Sequence, residues 1–176
     1  NRCEANDDEP SYGVAPALFW AAKHDSPNLA HLLLEYGAEP NIVHTEPGYG
    51  TMFQSTPLHK AAQQGKLSVV RLLLNHGADA NLGVWHGEMY YGDPDRKFHG
   101  RTPLHEAALH GHVDVAQRLI HRGADIHART HAGKTALDLA QAASHAQVAQ
   151  LLIDHGAHKD GAEIETAELV TEIRRR

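Results

Sequence analysis

Cysteine is almost missing from this chain. Cys3 is the only one in 176 residues, so no disulfide can close within it, and a reducing, intracellular compartment is the expectation. Long apolar runs are missing as well: none approaches the roughly 20 residues of a membrane span, and no signal peptide is visible. Basic charge is in deficit. A net charge of −6 and a pI near 6.2 argue against a sequence-independent nucleic-acid binder, which needs a basic face. The terminal cluster Arg174-Arg175-Arg176 reads as a solvated helix end. Aromatics are scarce at 6% against 41% hydrophobic residues, which points to a core of many small Ala, Leu and Val contacts. The chain opens on Asn1 without a methionine and reads as an excised part of a longer protein.

Catalytic signatures are absent too. No phosphate loop, dinucleotide fingerprint, activated cysteine or paired-carboxylate motif occurs. His24, Asp25 and Ser26 have the residue types of a triad but are consecutive, and a triad is assembled by spatial geometry. Sixteen histidines invite a metal hypothesis. Yet His127 and His131 fall in a turn, and His110 and His112 are expected to point away from each other on a helix. The expectation is no metal, no cofactor and no enzyme.

What is present is repetition. Residues 102–125, TPLHEAALHGHVDVAQRLIHRGAD, read as two short helices. Thr102 serves as N-cap and Pro103 takes the first helical position, where a missing N–H costs nothing. Gly111 separates the helices and Gly123 ends the second. Similar stretches start at 16, 56 and 135, giving spacings of 40, 46 and 33. Helix pairs are expected at about 16–36, 57–76, 103–122 and 136–155. Leu58, Leu72, Leu73, Leu104, Leu119, Leu137, Leu151 and Leu152 are core by periodicity. Such pairs cannot bury their apolar faces alone and must stack.

A 33-residue period opening on TPLH resembles the ankyrin repeat. The resemblance implies an all-α solenoid of helix-turn-helix pairs with projecting β-turn fingers. It divides the chain into a lead-in (1–14), a repeat domain (15–158) and a C-terminal capping helix (159–176), with repeats at about 16–41, 56–81, 102–127 and 135–158. A degenerate fifth repeat is the other reading of the last segment. The resemblance also implies that His59 and His105 tie neighbouring turns together. The first copy departs with Phe19 for the histidine and Asp25 for the mid-repeat glycine; the fourth departs with Asp138 and Ser144. Asn81, in LLLNHGADAN, is similar to the sites accepted by the asparaginyl hydroxylase that acts on such repeats, and Asn41 matches less well; a turn-shaping role is the competing reading.

Two spacings exceed 33, by 7 and by 13, and lengthen the connections 42–55 and 82–101. Loops of that length are functional or disordered, and disordered segments lack aromatics. The longer one holds Trp85, Tyr90, Tyr91 and Phe98, three of them drawn from the chain's two tryptophans and five tyrosines. Gly87, Gly92 and Asp93-Pro94-Asp95 suggest a folded-back hairpin. Partner contacts are therefore expected at Tyr49, Met52, Phe53, Trp85, Glu88, Tyr90, Tyr91, Asp93 and Phe98 on the fingers. On the helix face they are expected at Lys23, His24, Gln63, Gln64, Leu109 and His110. Packing of the fingers on each other is the other reading, and the two are compatible. The functional expectation is a monomeric, cytoplasmic, non-catalytic module that binds a protein or peptide. Its rivals are a regulatory or targeting segment of a larger enzyme or channel, and self-association through the fingers.

Overall fold

The computed structural model describes residues 17–47, 51–84, 86–88 and 100–158. Among them are eight helices in four pairs. Each pair joins a seven-residue helix to a nine-residue one: α1 (Ala17–Lys23) and α2 (Pro27–Glu35), α3 (Pro57–Gln63) and α4 (Leu67–Asn75), α5 (Pro103–Leu109) and α6 (Val113–His121), α7 (Ala136–Ala142) and α8 (Ala146–Asp154). The first helices pack as one row, α1 on α3 on α5 on α7, and the second helices as another. The result is a two-layer all-α solenoid, to which the two insertions add a three-stranded antiparallel sheet.

The alanines explain the close stacking. Ala21, Ala22, Ala61, Ala62, Ala107, Ala108 and Ala140 are fully or almost fully buried along the first row and let the short helices approach. Leu18, Leu58, Leu104 and Leu137 fill that row, and Leu73, Leu119 and Leu152 the second. Leu72 and Leu151, expected in the core, are only partly buried. Each lies at the edge of the buried stripe, which on α4 takes in Leu73 and Leu74.

Threonines start three of the four first helices, α3, α5 and α7. Thr56 Oγ1 accepts from the His59 N–H at 3.3 Å, and Thr135 Oγ1 from the Asp138 N–H at 3.2 Å. His59 and His105 then do what the resemblance implied. Each Nδ1 sits 2.7 or 2.8 Å from its capping hydroxyl, while each Nε2 donates across the stack to the next connection, to the Arg101 carbonyl at 2.9 Å and the Lys134 carbonyl at 3.1 Å. Asp138, in the same position on α7, closes a capping box instead: its Oδ2 accepts from the Thr135 N–H at 2.9 Å. Phe19 replaces the hydrogen bond with an aromatic contact, its buried ring lying 4.8 Å from that of His44.

A second set of bonds runs the other way. His112 Nε2 donates to the Gln63 carbonyl and His145 Nε2 to the Leu109 carbonyl, both at 3.0 Å. Each ring lies against the glycine between the helices of the preceding pair, Gly65 or Gly111. His110 and His112 therefore do not point apart as expected. Their rings are parallel at 6.4 Å, because they flank Gly111 as C-cap of α5 and N-cap of α6 rather than sharing a helix.

Candidate functional site

The two insertions leave the stack on the same side and join. β1 (His44–Pro47) and β2 (Thr51–Ser55) form the first finger, with His44 opposite Ser55 and Pro47 opposite Met52. β3 (His86–Glu88), from the second finger, adds to β2 with Thr51 opposite Glu88 and Phe53 opposite His86. Backbone ladder bonds thus tie two connections that lie a whole helix pair apart in sequence. Met52 and Phe53 lie in β2 and Glu88 in β3. Tyr49, Trp85, Tyr90, Tyr91, Asp93 and Phe98 lie outside the described residues.

The root of the long finger is fixed at several points. Val84 and Arg101 exchange two backbone hydrogen bonds, at 2.9 and 3.0 Å, and Val84 is buried. The Arg101 carbonyl also receives the His59 bond, and its guanidinium lies 3.4 Å from Oε1 of Glu106 on α5. Glu106 is 2% exposed, and His110 Nδ1 stands 3.8 Å from its other oxygen. A buried carboxylate requires a cation nearby, and Arg101 supplies it. Gly100 is tightly enclosed: a Cβ there would collide with the backbone of Val84. Gly100→Ala is expected to break the Val84–Arg101 ladder and cost about 1–3 kcal/mol. Urea denaturation would show it, and an unchanged midpoint would contradict it.

The solvent-facing positions of the first-helix row continue from this root. Lys23 Nζ stands 4.6 Å from the Trp20 ring centroid, and His24 stacks on the same ring at 5.4 Å with 10° between planes. Trp20 is 42% exposed and went unnoticed in the sequence. Its signal was positional: it occupies the place held by Lys60 and Glu106 in later pairs, where residue type varies freely. Gln63 accepts from Lys60 Nζ at 3.1 Å through its side chain, Gln64 caps α3, and His110 Nδ1 bonds back to the Glu106 carbonyl at 3.0 Å. Leu109 ends α5 beside it.

Asn81 spans to the next turn. Its Oδ1 accepts from the Asp125 N–H at 2.7 Å and its Nδ2 donates to the Gly123 carbonyl at 2.9 Å. Asn41 does the same with Asp79 and Gly77, at 2.8 and 3.3 Å. Both asparagines shape turns. A cleft of about 380 Å³ opens beside Asn81, lined by Gly83, Gly100, Thr102, Asp125, His127 and Arg129 among others. His105 has its pKa lowered by burial, partly offset by its bond to the Lys134 carbonyl.

Comparison with known proteins agrees with the architecture. The family model described as ankyrin repeats in three copies matches residues 18–130 and 92–163. The human 2-5A-dependent ribonuclease is 39% identical over 70 residues, 40% of this chain and 9% of that protein. A FYVE zinc finger domain protein, UPA1, of Mycosarcoma maydis is 43% identical over 74 residues, 42% of this chain and 5% of that protein. The matches thus span under a tenth of either relative's length.

Proposed function

Because the chain belongs to the ankyrin-repeat family, whose repeats are generally protein–protein interaction modules and typically non-catalytic, we propose that it binds a protein or peptide partner through one surface, made of the solvent-facing positions of the first-helix row and the two joined fingers. The observation that carries this reading is the pairing of β3 with β2. Two independent loops would each lose conformational freedom when a partner binds. Strands β1 to β3 and the Val84–Arg101 root, already held by ladder bonds, have less of it to lose, and preordering strengthens association.

On the helix row, Trp20 with Lys23 and His24 offers an aromatic anchor flanked by polar groups, the composition favoured at interface centres. Gln63, Gln64, Leu109 and His110 continue the row. On the fingers, Tyr49, Met52, Phe53, Trp85, Glu88, Tyr90, Tyr91, Asp93 and Phe98 are the proposed contacts. The proposed organisation is four repeats over residues 15–158 with a lead-in before and a capping helix after. The proposed state is a cytoplasmic monomer. Among the described residues no helix is long and apolar enough to cross a membrane. Hydroxylation of Asn81 would first require its turn to open, since both side-chain polar atoms are engaged.

The great length of both relatives favours a second reading within the first, in which this segment targets or regulates a larger protein. The test is capture of partners by the isolated chain, followed by affinity measurement with Trp85→Ala/Tyr90→Ala and with Trp20→Ala. Loss of roughly tenfold or more in affinity with folding intact is expected for each. Undiminished affinity in the double variant would remove the fingers from the proposal. Concentration-dependent dimerisation abolished by that variant would favour self-association.

A further inference from the structure

His31 and Glu35 lie four residues apart on α2 and so share one face of the helix. His76, the C-cap of α4, reaches the same spot from the next pair. Its Nε2 is 3.4 Å from Glu35 Oε1, and His31 Nδ1 is 4.0 Å from that same oxygen. One ligand atom from each residue lies within 4.8 Å of the other two. A tetrahedral ion with bonds of about 2.1 Å sets its ligands about 3.4 Å apart. One edge already has this length. The others need only rotation of exposed side chains, since His31 and Glu35 are 57% and 58% exposed.

His76 is oriented in the way a metal-bound imidazole usually is. Its Nδ1 lies 2.9 Å from the Leu72 carbonyl, to which it donates, so in the neutral ring the lone pair sits on Nε2, facing Glu35. A proton on Nε2 makes the 3.4 Å hydrogen bond to Glu35, and a metal ion would take that proton's place between the same two atoms. The corresponding positions elsewhere carry other chemistry. At the next junction Arg122 donates to Asn75 at 2.8 Å, and at the third the rings of His121 and His155 meet edge to face at 6.2 Å. Among the described residues, His31, Glu35 and His76 are the one group that brings three such ligands together.

We propose that His31, Glu35 and His76 form a binding site for a zinc ion that clips the first helix pair to the second, leaving one coordination position for water or an incoming ligand. Two imidazoles and one carboxylate select a transition ion over calcium or magnesium, which prefer all-oxygen sites. Near-neighbour histidine spacing, which points to no metal, does not reveal this site, because His76 stands 41 positions from Glu35.

The test is titration of zinc into chelator-stripped protein against a chromophoric competitor, with zinc-dependent melting as the second readout. One equivalent should bind at least tenfold more tightly than the background of surface histidines and raise the melting temperature. His76→Ala, His31→Ala and Glu35→Gln should each weaken that equivalent tenfold or more and abolish the thermal shift. His155→Ala, at the matching cap of α8, should do neither. Identical titrations for the wild type and the three ligand variants would overturn the site. Because His31 and Glu35 are exposed, their variants remain informative even if His76→Ala disturbs the fold.

Discussion

Replacing Gly111 with valine is expected to cost roughly 3–5 kcal/mol, lowering the melting temperature by about 8–15 °C in a chain of this size. Two effects combine. Gly111 has φ +76°, a conformation a β-branched residue adopts poorly, and its missing Cβ is the space into which the His145 ring packs. A Cβ would come within 2.6 Å of Nδ1 of that ring, displacing it and sacrificing its bond to the Leu109 carbonyl. The molecule contains its own control. Asp25 and Ser144 occupy the same position in the first and fourth pairs with φ of 51° and 62°, and both side chains are exposed. Positive φ alone is tolerated there; the overlying ring makes glycine necessary. A double-mutant cycle separates the terms. Gly111→Ala should be less costly when His145→Ala has already removed the ring, by about 1 kcal/mol. Strict additivity of the two substitutions would refute the contact.

His105→Ala carries the next-largest expected loss, about 2–4 kcal/mol. The ring is 1% exposed and serves both ends of a junction. Its Nδ1 accepts from the Thr102 backbone N–H at 3.2 Å, and its Nε2 donates to the Lys134 carbonyl. Truncation opens a cavity and strands the Thr102 N–H, while the Lys134 carbonyl is left with its bond from the Thr130 N–H at 2.9 Å. The ring also makes stability depend on pH. Burial lowers its pKa below the ordinary value of 6.5 in the folded chain. As pH falls through that value, the unfolded chain takes up a proton that the native ring refuses, so stability is lost on acidification. Denaturant midpoints at pH 7 and pH 5 measure this. His105→Gln should show a smaller drop between them than the wild type, and an equal drop would place the sensitivity at other histidines.

These two residues also mark how far the sequence could be read. Gly111 and His105 stood out through local pattern alone: a glycine between apolar helical runs and a histidine three places after a capping threonine. Helix positions followed, because caps and breakers act within a few residues. The partners of those residues did not follow. Nothing near His112 or His145 announces a carbonyl 49 or 36 positions away. Glu106 looked like any helical carboxylate, yet it is buried against Arg101 from the long finger. The candidate site was legible as two long aromatic connections. That they share a sheet was not, since β3 has three residues, too few for an alternating pattern to register.

The two histidine bonds of the stack span different lengths of chain. His59 reaches a carbonyl 42 residues ahead and His105 one 29 ahead, at nearly the same distance. The difference is the 13 residues of the second insertion. By loop-closure entropy that extra length costs only about 0.3 kcal/mol. Geometry at the seam is therefore indifferent to the loop hung from it. Mutation can lengthen, shorten or rewrite such a loop while the scaffold keeps the same solution, so recognition can diverge between descendants faster than the fold that supports it.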